Sequence, residues 1–386
     1  SHNLNLETLV RYEDRFDEIV LEAAQLALKG GVTTVFDTWG PLDALQKVRD
    51  AINEGKMLGS RIFVGGNVIG SNGPFTGGFL PQSAIENVSE STRSRIDERW
   101  EQGMGSGLQL MSPEEVRFAV REYIAKDVDF LKYMGDAGTL IYFSPRVQRA
   151  IIEESHQAGL VVQAHITSAE EMHVAVEAGL DIVTHGEMSI PPHIYSAETI
   201  RELVERGVAV SLLPFTERRL KAFEEYSAGP AAGFNWVPVY KAAQANRRNM
   251  IKAGVRLLLS TDAYIKNPEL MPEPLLPLGA DIVDPDRKIG EAHFNALVAL
   301  EEDGMDRVEI LKAATRNIAQ AYKVDADLGT LEVGKIADLL ILDRNPLESA
   351  QNYRTINTVI MGGKVVNRET LPVAPLISNI DTATSN

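Results

Sequence analysis

The order of apolar and polar positions along the chain repeats one unit: a helical stretch, a glycine and a short apolar run. Copies of this unit are HQAGLVVQAH (156–165), VEAGLDIVTH (176–185), VERGVAVSLL (204–213) and IKAGVRLLLSTDA (251–263). The glycine stands where a helix ends in the left-handed conformation, which glycine adopts at little steric cost. Helix–strand units with short connections predict an α/β fold with a parallel sheet, and this many units favour a closed (β/α)8 TIM-like barrel.

Seven strands of that barrel can be placed from the apolar runs, whereas a full barrel needs eight. A helix over Phe16–Lys29 precedes the first of them. The segment Ser71–Met111 is rich in Gly, Ser and charge and is too long for an ordinary connection, so we expect a lid or a flexible excursion there. The predicted strands cover residues 32–38, 61–69, 128–134, 160–165, 181–185, 208–213 and 255–261.

The last part of the chain follows a different pattern. Two helices are predicted over 290–323, and residues 1–328 as a whole are predicted to form the barrel domain. From 329 to 367 apolar and polar residues alternate around a Gly-Gly turn, which predicts short antiparallel strands of a small β-sandwich unit. The polar residues 368–386 are expected to be a poorly ordered tail.

Composition narrows the classes of function. The 386 residues carry a net charge of −16 and have a pI near 5.0, which argues against nucleic-acid binding because that function needs basic patches. No apolar run is long enough to span a bilayer. The chain has no cysteine, so any metal must be held by His, Asp, Glu or a modified Lys. We expect a cytoplasmic homo-oligomer that acts on a small molecule.

Four residues with chemically active side chains stand at or near the carboxyl ends of predicted strands: Lys132, His165, His185 and Asp262. Because ligands gather at this end of parallel sheets, the four side chains are expected to meet at one rim. Two imidazoles there could hold one metal ion, and Asp262 could shuttle the proton of a water that the ion activates. Taken singly, each residue also fits a structural role, such as a loop hydrogen bond, a salt bridge or a turn cap.

These segments resemble the amidohydrolase superfamily. GLVVQAH, DIVTHGE and LLLSTDA are similar to its fifth, sixth and eighth barrel strands, and the ending LGTLEVGKIADLLILDRNPL with VIMGGKVV is similar to its C-terminal return to a small β-sandwich. The resemblance implies a distorted barrel with one or two divalent metal ions. Zinc is the first candidate, and iron, cobalt or manganese are the others. It implies that His165 and His185 are metal ligands and that Asp262 is both ligand and base. Lys132 matches a position that is often carboxylated to N6-carboxylysine, and FLKYMGD is similar to the branch with imidazolonepropionase-like proteins and prolidases.

One motif of the superfamily is missing from the chain. The first strand of its members carries a His-x-His pair, whereas this chain opens Ser1-His2-Asn3-Leu4. In one interpretation His2 is the second histidine of that motif and a further metal ligand, and the N-terminal part of the protein is missing from the sequence. In the other, Ser1-His2 is a tag scar.

Loop residues beyond the strand ends are candidates for substrate binding. His193 follows the sixth strand, Phe215 and Arg218 follow the seventh, and Tyr264 follows Asp262. Arg218 or its neighbour Arg219 would matter for a substrate with a carboxylate, which arginine binds with two hydrogen bonds. The remaining histidines are expected to be structural: His156, His173 and His293.

The leading functional hypothesis is hydrolysis of an amide-like carbon–nitrogen bond, in an amide, carbamate, thiocarbamate or urea, by metal-activated water. The segment KYMGDAGT is similar to the group of molinate and phenylurea hydrolases, whose substrates would be neutral and apolar. A prolidase-like dipeptidase is an alternative and would place an arginine near the metal. Deamination of a cyclic amidine or ring amine is another alternative, and a non-catalytic assembly protein is the last.

Overall fold

A computed structural model describes residues 6–77, 85–138, 140–227, 236–263 and 288–378. A layer of parallel strands lies at its centre, with helices packed around it, as the repeated sequence unit predicts. All seven predicted barrel strands are present, with ends within three residues of the predicted ones. In chain order the strands of this part are β1 (Thr34–Asp37), β2 (Arg61–Val64), β3 (Val68–Ile69), β4 (Leu131–Met134), β5 (Asp136–Ala137), β6 (Leu140–Ile141), β7 (Val162–His165), β8 (Ile182–Thr184), β9 (Ala209–Leu212) and β10 (Arg256–Leu259).

The strand order follows the order of the chain. Parallel pairs join β3 to β4, β4 to β7, β7 to β8, β8 to β9 and β9 to β10, and a separate parallel pair joins β1 to β2. The strands β5 and β6 form a short antiparallel hairpin beyond β4. This succession is that of a (β/α) barrel. Among the described residues, no strand lies between β10 and β1, so none of them fills an eighth position.

The predicted strand 61–69 is divided into β2 and β3 by Gly65, Gly66 and Asn67. Gly66 has a φ of +71°, and a Cβ at this position would lie 2.1 Å from the Tyr123 hydroxyl oxygen, so the position needs glycine. Because β2 pairs with β1 while β3 pairs with β4, the break lets one stretch of chain join two sheets.

Capping residues at both ends of the helices explain where the chain passes between the helices and the strands. Ser168 precedes α7, and its hydroxyl accepts a hydrogen bond from the Glu171 N–H (3.2 Å), while Gly179 ends the helix with a φ of 99°. Gly207 and Gly254 end α8 and α10 in the same left-handed conformation, as predicted.

The described helices are α1 (Leu6–Arg11), α2 (Phe16–Lys29), α3 (Leu42–Asn53), α4 (Glu90–Glu101), α5 (Pro113–Ile124), α6 (Pro145–Gln157), α7 (Ala169–Ala178), α8 (Ala197–Arg206), α9 (Glu217–Ser227), α10 (Val237–Ala253), α11 (Ala292–Glu302), α12 (Arg307–Ala313) and α13 (Arg316–Ala321). None of them is long and apolar enough to cross a membrane.

The segment Ser71–Met111 is not a flexible excursion in its described parts. It contains α4, and the buried Asp97 of that helix accepts hydrogen bonds from the backbone N–H of Phe75 (2.8 Å) and of Thr76 (3.0 Å). Residues 78–84 lie outside the described structure. The expectation of flexibility failed because the carboxylate that fixes the loop is distant from it in sequence.

The C-terminal part forms the small antiparallel sheet that the alternating pattern predicts, with β11 (Leu339–Leu342), β12 (Ile356–Met361) and β13 (Lys364–Val365). Upstream of this sheet the structure has α11, α12 and α13, where the sequence predicted two helices over 290–323. The second predicted helix is broken at Thr315, whose φ of −137° is not helical and whose hydroxyl donates to the Leu311 carbonyl (2.7 Å).

Residues 371–378 pack on α2, so the prediction of a poorly ordered tail is wrong for the described part of that segment. The Glu22 carboxylate accepts hydrogen bonds from the backbone N–H groups of residues 376–378 at 2.8–2.9 Å. Leu371 and Ile377 are buried. The apolar side chains within a polar composition explain why this segment is ordered.

Candidate active site at the carboxyl ends of the strands

His165 and His185 are side by side at the carboxyl ends of β7 and β8. His165 pairs with Thr184 in the sheet register, so His185 comes one residue beyond it on the neighbouring strand. The two ring centroids are 4.9 Å apart, with an angle of 65° between the ring planes. Imidazole nitrogens bound to one tetrahedral ion lie about 2.0–2.1 Å from it, which places the ring centroids about 5 Å apart. The separation of the two rings therefore fits shared metal binding.

The backbone is strained at two of the predicted site residues. His185 has a φ of 59° and Asp262 a φ of 47°, in the left-handed region that few residues other than glycine adopt. His185 is held there by a hydrogen bond from its N–H to the Ser211 carbonyl (2.9 Å). Such strain persists where surrounding contacts over-determine the conformation, which is common at functional sites.

Lys132 is buried within β4 and is only 4% exposed. Burial lowers the pKa of its amine to about 8, and the negative charges of Asp262 and Asp37 oppose this shift. The structure thus places Lys132 within the electrostatic range of two carboxylates. Asp37, the last residue of β1, was missed in the sequence analysis. Its position at a strand end was the signal that could have identified it.

The structure does not assemble all the predicted ligands into one cluster. Within the described ranges, no group of three or more His, Cys, Asp and Glu side chains could hold a metal ion. The structure brings His165 to His185, and it places Lys132 under the influence of Asp262 and Asp37. His2 lies outside the described residues. The donor types at this rim, two imidazoles, two carboxylates and an amine that CO2 can convert to a carboxylate, fit a divalent ion.

The predicted substrate-binding residues fall in different places. Phe215 is buried and lines a cavity beside the strand ends, whereas His193 and Arg218 are exposed, and Arg218 lines a separate groove. Tyr264 lies outside the described residues. Arg219 lines the cavity instead of Arg218, with its guanidinium 5.2 Å from the Phe223 ring centroid. The cavity is formed by Met188, Leu213, Pro214, Phe215, Arg219, Tyr240, Thr261, Ala292 and Ala296.

A buried ion network lies behind this cavity and was also missed. The Arg247 guanidinium donates from Nε to Asp303 (2.5 Å) and lies 3.8 Å from Glu187, and all three side chains are 0% exposed. Its carbon Cζ is 4.6 Å from the centroid of the Phe215 ring. No signal in the sequence separates Arg247 from its neighbour Arg248, whose side chain is 45% exposed.

Two further buried carboxyl groups, Asp136 and Glu171, lie near the ends of β4 and β7. Asp136 accepts hydrogen bonds from the Thr167 N–H (2.7 Å) and hydroxyl (2.8 Å). Burial raises the pKa of Glu171 to about 8, a shift that Gln148 opposes and the charge of Asp136 increases. Glu171 is therefore a carboxyl group that the fold favours in its neutral form.

The other histidines have the structural roles predicted for them. His156 lies 2.8 Å from an Asp181 oxygen, and His173 lies 2.9 Å from a Glu202 oxygen on the neighbouring helix. The His293 ring nitrogen Nε2 contacts the Gly30 carbonyl oxygen (2.9 Å). Each of these rings joins a helix to another part of the fold: His156 to the residue before β8, His173 to α8, and His293 to the residue after α2.

The parallel α/β layer and its polar rim are those of a barrel enzyme, and a comparison with known families gives the class of protein. The amidohydrolase family matches residues 12–366, and the chain belongs to this family. The predicted fold class and family are thereby confirmed. The family is one of hydrolases, in line with the predicted enzyme class. Enzymes of the family generally use a divalent metal ion.

Individual proteins are similar to the chain to different extents. A solved structure of molinate hydrolase has a TM-score of 0.90 and 34% identity, and the similarity covers 99% of this chain and 82% of that one. Phenylurea hydrolase B has a TM-score of 0.87 and 32% identity, over 97% and 82%. Imidazolonepropionase of Brevibacillus brevis is 29% identical over 233 residues, 59% of this chain and 44% of that protein. The chain spans about half the length of the curated relatives that it matches.

Proposed function

We propose that the protein hydrolyses an amide-like carbon–nitrogen bond at the site of His165, His185, Lys132 and Asp262. The observation that carries this proposal is the placement of two imidazoles 4.9 Å apart at the carboxyl ends of adjacent strands. Membership in the amidohydrolase family supports it, because the chemistry of the family needs such donors.

Each residue has a separate task in the proposed reaction. His165 and His185 would hold a divalent ion, with zinc as the first candidate. When bound, the ion would polarise the scissile carbonyl group and lower the pKa of water. Asp262 takes a proton from the attacking water and passes it to the leaving nitrogen, so a C–O bond forms as the C–N bond breaks.

Lys132 is proposed to act after carboxylation. Only the uncharged amine attacks CO2, and a pKa of about 8 makes that form more abundant near neutral pH than it is for an exposed lysine. Formation of the N–C bond releases one proton and gives N6-carboxylysine, whose carboxylate is a further donor for one or two metal ions. Carboxylation replaces a cationic amine with a carboxylate near Asp37 and Asp262, so the rim becomes more negative and more favourable for a divalent cation.

We propose a neutral, apolar carbamate, thiocarbamate or urea as the substrate. The cavity beside the site has mainly apolar and aromatic walls, including Phe215, Tyr240 and Met188. The structures of molinate hydrolase and phenylurea hydrolase B are similar to nearly the whole of this chain. The substrates in their names support the same class of substrate, a thiocarbamate or a urea. Arg219 is the charged side chain in this lining. A dipeptide substrate would use it to bind a carboxylate.

A substrate panel tests the proposal. Protein reconstituted with zinc, cobalt or manganese is assayed with a phenylurea, a thiocarbamate, an Xaa-Pro dipeptide and a cyclic amidine, and Asp262→Asn serves as the inactive control. We expect turnover of the neutral urea or thiocarbamate. Turnover of the dipeptide alone, abolished by Arg219→Gln, would assign a dipeptidase, and ammonia release from the amidine alone would assign a deaminase.

A further inference from the structure

The turn that carries His185 is held from outside by α10. The Asn246 side chain donates through Nδ2 to the carbonyl oxygens of Glu187 and His193, both at 3.0 Å, and its Oδ1 accepts a hydrogen bond from the Tyr195 N–H (2.8 Å). Asn246 is fully buried. The backbone from Glu187 to Tyr195 is therefore fixed by one residue of α10.

The next residue of α10 fixes the same turn through a side chain. The Glu187 carboxylate accepts a hydrogen bond from the Leu213 N–H (2.6 Å), which ties the turn after β8 to the loop after β9. The Arg247 Nη1 lies 3.8 Å from that carboxylate, and its Nε donates to Asp303, the residue that follows α11. The guanidinium thus links α10 to the turn after β8 and to the end of α11, and Glu187 extends this link to the loop after β9.

Stability alone does not account for this network. Burial of charged groups is costly, and well-packed apolar residues of similar volume are often equally or more stabilising. Among the residues that the structure describes, neither Nη atom of Arg247 finds a hydrogen-bond partner, and nor does the Oε2 of Glu187, so these residues satisfy the polar atoms of the network incompletely. An incompletely satisfied buried network calls for an explanation other than stability.

The geometry of the turn supplies that role. His185 is in a strained left-handed conformation, two residues before Glu187. Gly186 between them has no room for a side chain, since a Cβ would lie 2.6 Å from Val210 Cγ1 and 2.8 Å from Val183 Cγ1. Such a conformation needs contacts that hold it. The His185 N–H bond to the Ser211 carbonyl is one of them, and the fixed carboxylate of Glu187, two residues further along, is another.

We propose that Arg247 is a positioning residue: by holding Glu187 against the barrel, it fixes the turn at His185 and thereby the imidazole that faces His165. This inference rests on the proposed function, because it assigns His185 a metal. Arg247 does not touch the reacting atoms. Its effect is exerted through the orientation of a ligand, and metal affinity therefore reports it directly.

Arg247→Lys tests the proposal, with Arg248→Lys as the matched control. Lysine keeps the positive charge but lacks the planar guanidinium, which reaches Asp303 through Nε and Glu187 through Nη1. Arg248 is the adjacent residue, pairs with the same Asp303 (3.0 Å) and is half-exposed. Zinc affinity of metal-free protein is measured by chelator competition, alongside Tm. We expect Arg247→Lys to weaken zinc binding roughly 10- to 100-fold, as is typical for residues that orient ligands, and Arg248→Lys to leave it unchanged.

Glu187→Gln provides a second test. It removes the negative charge from the turn itself, so no carboxylate is left there without its ion-pair partner. Glutamine keeps the volume and the acceptor for the Leu213 N–H but loses the ion pair, and we expect weaker zinc binding here too. If both variants lower Tm while binding zinc as tightly as the wild-type protein, the role of Arg247 is structural and the inference is overturned. If the wild-type protein itself binds no divalent metal, the proposed function fails instead.

Discussion

The imidazoles of His165 and His185 meet edge to face with ring centroids 4.9 Å apart, although the residues are twenty positions apart in the chain. One strand–helix–strand unit accounts for this. The helix α7 returns the chain to the start of the next parallel strand, so residues at equivalent strand ends become neighbours. If the two rings hold one metal ion together, the loss of either ring should weaken metal binding.

Replacement of His165 should lower the metal content of the protein. In His165→Ala one of two facing imidazoles is lost, and we expect less zinc per chain by elemental analysis after dialysis. The control is His173→Ala, which removes an exposed ring paired with Glu202. Equal zinc stoichiometry in the two variants would remove His165 from the ligand set.

Asp262→Asn should abolish turnover while largely preserving bound metal. The amide cannot accept the proton of the attacking water, and loss of a general base typically costs about 100- to 10,000-fold in rate. Asparagine tolerates the left-handed φ of 47° at this position, so the fold should be retained. The measurement is kcat together with metal content, and wild-type kcat in the variant would refute a proton shuttle at Asp262.

Carboxylation of Lys132 predicts a dependence on CO2. Metal-stripped protein should regain more activity from zinc with bicarbonate than from zinc alone, because the buried amine needs CO2 to become a carboxylate donor. Intact-mass analysis under native conditions should show the gain of one CO2. In Lys132→Arg, which cannot be carboxylated, the bicarbonate effect should vanish; its persistence would assign the effect to another group.

Gly186→Ala should destabilise the fold. The new methyl group would clash with Val210 and Val183, and overpacking of this kind typically costs about 1–3 kcal/mol in the free energy of unfolding. Gly107→Ala is the control, because no atom lies within 4 Å of a Cβ there and its φ is not positive. Urea unfolding of both variants measures the difference, and similar values would show that the turn can shift.

Stability should fall as the pH rises from about 4.5 to about 8, in part through Glu171. Its pKa is raised from 4.5 to about 8, so in this window the folded state retains a proton that the unfolded state has lost. Glu171→Gln is neutral at every pH and should flatten the decline measured by urea unfolding. The control, Glu170→Gln, changes an exposed neighbour and should leave the slope as in the wild-type protein.

Periodicity was sufficient to predict the barrel strands and the rim that their ends form. The apolar runs are buried on both faces, as in Leu131, Val162 and Ile182, and such runs are readable without knowledge of tertiary contacts. The same rule would have found Asp37, the last residue of β1.

Features set by distant contacts could not be predicted in this way. Asp97 orders a loop some twenty residues before it, and Arg247 is buried while Arg248 is half-exposed, although both belong to one amphipathic helix. For the same reason the sequence did not show that Arg219, and not the predicted Arg218, lines the cavity. A shift of one residue on a helix rotates a side chain by about 100°, and sequence spacing alone does not fix that rotation.

The bonds between Glu22 and the backbone of residues 376–378 join the chain's last described segment to the second helix. Lys29 on the same helix donates to the Leu371 carbonyl, and Arg368 donates to the Lys29 carbonyl. Opening of the small sheet would break these bonds and expose the apolar face of α2 beneath them. The sheet and the barrel should consequently melt in a single cooperative transition, with no stage at which one survives without the other.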